Sequence, residues 1–151
     1  MSHDTSSFDS SVRLGILRAF LAGVTPSVET LATSLDAPAR DVASSFDRLA
    51  AGRAIVLMPG THHVRMAAPF AGQPTDFQAT VAGHTYFANC IWDAMGIPAM
   101  LGATDAAVDT RCGDCGDPLH LELRDGAMHG GEAIVHFAVP AARWWEDIVF
   151  T

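Results

Sequence analysis

Apolar residues recur at helical spacing through Val12, Ile16, Leu17, Phe20 and Leu21, with Ser10 or Ser11 placed to cap the run and Gly23 to stop it. A shorter periodic segment restarts at Thr25-Pro26-Ser27 and continues through Leu31 and Leu35. Pro38 suits the first turn of a third helix that carries Val42, Phe46 and Leu49 and closes at Gly52. The pattern then shortens: residues 54–58, a turn at 59–62 and residues 64–67 read as a β-hairpin. Three helices and a hairpin predict a winged-helix-like N-terminal part over residues 1–67.

Residues 68–75 are rich in Pro and Gly and predict a linker at a domain boundary. Beyond it the pattern predicts an extended piece at 77–81, a helix over about 85–101 and strands at 107–111, 119–124 and 133–139. Leu119, Leu121 and Leu123 alternate with His120, Glu122 and Arg124, the plainest two-residue period in the chain. Pro140 opens a last helical segment running to Phe150. The expected fold is α+β: a winged-helix-like three-helix domain (1–67), a linker (68–75), and a small mixed β-sheet core with flanking helices (76–151).

Composition narrows the class. A chain of 151 residues with 49% hydrophobic and 17% charged residues can bury a real core, as one medium domain or two small ones. No apolar run approaches membrane-spanning length. The first ten residues are polar and acidic rather than signal-like, so a cytoplasmic location is expected. The net charge of −8 is unevenly spread: residues 1–66 hold six acids and six arginines, residues 67–151 eleven acids and three arginines. The third helix offers Arg40 and Arg48 but also Asp41 and Asp47, so it lacks the basic face that phosphate contacts require. A domain that packs against a catalytic core and covers it is the expected use, with nucleic acid not an expected partner.

Candidate chemistry is concentrated in the apolar segment around Cys90 and Asp93, where a thiol and a carboxylate stand three residues apart. A carboxylate in such a segment needs a hydrogen bond, an ionic partner or a chemical role. The bland readings are a small buried Cys90, and an Asp93 that caps a loop or pairs with Arg111. Cys112-Gly-Asp-Cys115 has the spacing of half a zinc site or of a redox pair. With no second such pair, a two-thiol site for a soft ion is easier to build than a closed zinc site, and a plain tight turn between strands is the alternative. Three cysteines cannot complete a disulfide framework within one chain and are read as thiols. His62-His63 reads as a solvated turn, Trp92 as packing, and Trp144-Trp145 as closing the core or covering a pocket.

The run Phe87-Ala-Asn-Cys90-Ile-Trp-Asp93-Ala-Met-Gly-Ile-Pro98-Ala-Met-Leu-Gly102, followed by Thr110-Arg-Cys112 and Gly116-Asp-Pro118-Leu, resembles the alkylmercury (organomercurial) lyase family. The resemblance covers most of the chain and implies a core in which Cys90 and Asp93 work with a second cysteine nearer the C-terminus. It implies thiolate attack by Cys90 on a small organometallic substrate, proton transfer through Asp93, and no organic cofactor. The family's second catalytic cysteine follows a segment similar to residues 145–151. The expectation is therefore that it lies past Thr151, that Cys112 or Cys115 replaces it, or that the protein has left mercury chemistry. In the family a cysteine near position 112 is regarded as structural, which favours Cys115 over Cys112 as a replacement. A module that holds Hg(II) or another thiophilic ion through Cys90, Cys112 and Cys115 without turnover is the competing expectation. Recruitment to another substrate with Asp93 as acid or base is a further one.

Overall fold

The structure, a computed structural model, describes residues 2–130 and 132–149. Three helices open the chain: α1 (Ser2–Leu21), α2 (Val28–Ser34) and α3 (Ala39–Ala51). Helix α1 begins earlier than expected because Ser10 and Ser11 are not caps. Their hydroxyls donate back to the carbonyls of Ser6 and Ser7, four residues earlier, as helix-interior serines do. Ser27 is a true cap. It shares a capping box with Thr30, whose N–H it accepts at 3.1 Å.

These helices enclose a core of Val12, Ile16, Leu31, Val42, Phe46 and Leu49. Asp9 of α1 binds α3 at three points. It accepts from the buried Ser45 hydroxyl at 2.6 Å and from Arg48 Nη2 and Nε at 2.7 and 2.9 Å. The bonds from Arg48 hold the Asp9 carboxyl below its ordinary range.

Strands β1 (Val56–Leu57), β2 (Val64–Ala67) and β3 (Phe70–Ala71) form a three-stranded antiparallel sheet. Strand β3 falls inside the stretch expected to be a linker. Phe70 is 1% exposed and stacks on Phe20 of α1 at 5.7 Å. Gly72 permits this return, because a Cβ there would lie 1.9 Å from the Val64 carbonyl oxygen. An apolar Phe70 with a partner on α1 overrides the loop character of its Pro and Gly neighbours.

The second sheet, in the order β5-β4-β6-β7-β8, is built from β4 (Gln78–Val81), β5 (His84–Phe87), β6 (Ala106–Arg111), β7 (Pro118–Arg124) and β8 (Ala127–His129); it is antiparallel throughout rather than the mixed sheet expected, because short turns join β4 to β5, β6 to β7 and β7 to β8. Helix α4 (Ile91–Met100) lays Ala94 and Ile97 on Ala79, Val81 and Val108 to make a second core. Leu17, Phe20 and Leu21 of α1 pack against that core as well, so α1 serves both. The whole is a mixed α+β architecture with two antiparallel sheets.

Three expectations are corrected. Residues 85–87 are strand, not helix: Gln78 pairs with Phe87, and the Thr80 and Thr85 hydroxyls bond across the strands at 2.9 Å. The strand expected at 133–139 is replaced by β8, because Asp125-Gly126 takes positive φ at both residues and turns the chain straight back along β7. The last helical segment is a 3-10 turn at Ala141–Glu146, and Phe150 and Thr151 lie outside the described residues. Among the described residues no helix is long and apolar enough to cross a membrane.

Candidate active site

Cys90 is the N-cap of α4, not a residue within it. Its backbone is extended (φ −153, ψ 176) and its Sγ accepts the N–H of Asp93 at 3.5 Å. That N–H is one of the donors a helix start leaves unpaired, so a sulfur replaces the usual serine or aspartate oxygen. Asp93 therefore stands at the third helical position, with its carboxylate in the first turn, where the helix dipole favours negative charge. Asn89 Nδ2 donates to Asp93 Oδ2 at 2.9 Å.

Both groups are half-buried, and burial dominates their chemistry. It pushes the Cys90 thiol above its ordinary value, helped by the Asp93 charge and opposed by the N–H groups of Asp93 and Trp92. Burial likewise lifts the Asp93 carboxyl, opposed by the Asn89 hydrogen bond. Each group holds its proton more firmly than in water, and the helix N–H groups stand ready to stabilise the anion either one leaves. Asn89 was not singled out by sequence reasoning. Its only sequence signal was its place next to Cys90 and four residues before Asp93. Asn89 Oδ1 and Thr110 Oγ1 are buried polar atoms without a hydrogen-bond partner among the described residues.

An aromatic cluster flanks this turn. Trp92, 59% exposed, meets Phe137 edge-on at 6.1 Å, and Phe137 lies 5.3 Å from Trp144, whose indole N–H donates to the Val139 carbonyl at 2.8 Å. Phe137 thus meets α4 through Trp92 rather than lying in a sheet ladder. Trp145 turns the other way, under the Arg53 guanidinium at 5.6 Å. With Ile148 it lines a groove of about 520 Å³ against α3 and the β1 hairpin, which contains neither Cys90 nor Asp93. His62 in the hairpin turn is exposed and pairs with Asp47 at 3.0 Å.

Cys112 and Cys115 occupy the turn between β6 and β7. Among the described residues no three His, Cys, Asp or Glu side chains gather closely enough to hold a metal ion. Among the described residues Cys90 does not join Cys112 and Cys115 in one such group. Arg111, a possible partner for Asp93 on sequence grounds, instead donates to the Gly116 carbonyl at 3.3 Å.

The family model for alkylmercury lyase (MerB) matches residues 70–151, the part that carries both thiol positions and the second sheet. The chain belongs to the alkylmercury lyase family. Among solved structures it is similar to one described as the mercury-bound form of MerB2, at 25% sequence identity and a TM-score of 0.63. That match covers 80% of this chain and 59% of the other, so the chain spans somewhat under two thirds of the length of that protein. No curated protein matches the chain.

Proposed function

We propose that the protein cleaves carbon–mercury bonds in small organomercurial compounds, with Cys90 as the attacking thiolate and Asp93 as the group that moves the proton. The reading is carried by one observation: the Cys90 sulfur and the Asp93 carboxylate share the first turn of α4, the sulfur resting on the N–H of Asp93 itself. Asp93 takes the Cys90 proton as the thiolate bonds to mercury and displaces its weaker ligand. A second thiolate, from a thiol in solution, adds to mercury and loads electron density onto the bound carbon. Asp93 then returns its proton to that carbon; the carbon–mercury bond breaks, hydrocarbon leaves, and Hg(II) remains on two thiolates. Lifted by burial, Asp93 is a better proton carrier near neutral pH than an exposed carboxyl. No organic cofactor enters this scheme.

The N-terminal helices and β1–β3 serve in this reading as a winged-helix-like cover for the 76–151 core rather than as a nucleic-acid reader. Arg48 is committed to Asp9 and Arg40 to Asp41, which supports that use. Free thiols at three positions suit a reducing, cytoplasmic setting.

A second reading is a thiophilic-metal binder without turnover, favoured because Cys90 does not join the other two thiols in one such group among the described residues. Incubating reduced protein with a phenylmercury salt and excess thiol distinguishes the two. Benzene release that disappears in Cys90→Ser is the expected result. A stable phenylmercury adduct on Cys90 with no benzene would overturn the catalytic reading in favour of the second.

A further inference from the structure

The β6–β7 turn is built in a way that packing alone does not require. The Cys112 N–H donates to the Asp117 carbonyl at 2.8 Å, and the Gly116 N–H donates to the Cys112 carbonyl at 2.9 Å. Arg111 Nη1 reaches the Gly116 carbonyl at 3.3 Å, and Arg111 pairs in register with Pro118. Gly116 adopts φ +78, which bends the chain immediately after the second cysteine. The bond from Gly116 to Cys112 closes a short turn that carries both cysteines, three residues apart.

We propose that Cys112 and Cys115 form a second site, distinct from Cys90 and Asp93, that takes a thiophilic cation of the Hg(II) class as a bis-thiolate. Both cysteines sit in a turn fixed on both flanks by the sheet, so little ordering of the backbone remains to be done on binding. Binding displaces the protons of both thiols. One cation and two thiols give a bis-thiolate and two protons, with no electron transferred. Two ligands without a third among the described residues suit an ion content with two sulfurs, and do not complete the four-ligand shell of structural zinc. Asp114 and Asp117 add negative charge around the turn.

The test uses the reduced full chain, equimolar mercuric chloride and an excess of a monothiol, followed by iodoacetamide and peptide mass mapping. Cys112 and Cys115 should be protected together while Cys90 is alkylated, and Cys90→Ser should retain the ion. Cys115→Ser, at an exposed position, should weaken retention about 100-fold or more, since the second thiol acts at high effective concentration. Full alkylation of Cys112 and Cys115 in the mercury-loaded wild type would overturn the proposal, as would undiminished retention in Cys115→Ser. The wild-type protection pattern needs no variant to fold. Because inorganic mercury is the probe, failure here is separate from failure to release benzene.

Discussion

Cys90 and Cys112 are the same side chain in opposite surroundings. Cys90 is half sunk at the start of α4 with a carboxylate beside it, and burial lifts its thiol. Cys112, by surface exposure also half-buried, lies in a turn where backbone N–H groups favour the anion and lower the thiol. Both sulfurs meet N–H donors, so the difference comes from what else surrounds them. Burial and a neighbouring carboxylate keep Cys90 protonated until a soft electrophile competes for the sulfur, whereas Cys112 is the readier thiolate at rest. One thiol is placed to react with a proton carrier at hand, the other to hold.

The largest expected break in this comparison is Asp93→Asn. If Asp93 carries the proton, benzene release should fall roughly 100- to 10,000-fold, while mercury protection of Cys112 and Cys115 stays unchanged. Equal loss at both places would mean the substitution had damaged the fold rather than the chemistry. Next is Ile97→Ala, which empties a fully buried position on α4, about two turns beyond Cys90. It should cost about 2–5 kcal/mol in denaturant unfolding and loosen the α4 start, yet leave the alkylation rate of Cys112 within error of wild type.

A pH series of alkylation rates sharpens the contrast further. The thiolate is the reacting form, so each rate rises with pH through the thiol's own midpoint. Cys112 should rise below the ordinary thiol value and Cys90 above it; coincident midpoints would erase the distinction. The smallest expected effect is that of Asn89→Leu. Removing the hydrogen bond that lowers Asp93 should move its carboxyl titration upward, read by infrared absorption of the protonated acid, with the Cys112 midpoint unmoved. Asp93 is raised in the folded state, so its native form binds protons more tightly than the unfolded chain does. Stability therefore falls as pH rises from the ordinary carboxylate value to the folded one and is level above it. In Asp93→Asn that slope should vanish.

Much of the frame was written in local pattern. The apolar spacing of Val42, Phe46 and Leu49 gave α3, and the alternation of the β7 leucines gave a strand, because each is a property of consecutive residues meeting one buried face. The motif around Cys90 and Asp93 was legible too, since residue type and spacing suffice to mark a thiol beside an acid. Other features depended on residues far apart in sequence. Phe70 became strand because Phe20 was there to stack on it, and residues 85–87 joined the sheet because β4 offered backbone partners. With those residues claimed, α4 could begin only after Cys90, which turned an expected mid-helix thiol into a cap.

Sequence by itself determined which groups could do chemistry: three thiols, one carboxylate within a helical turn of the first, and two thiols with a short turn between them. The tertiary structure decided their protonation and their grouping. Burial raises Cys90 and Asp93, and the β6–β7 register sets Cys112 and Cys115 together in one turn. Desolvation and backbone hydrogen bonding are set by the packed surroundings of a side chain, and no local string of residues specifies those.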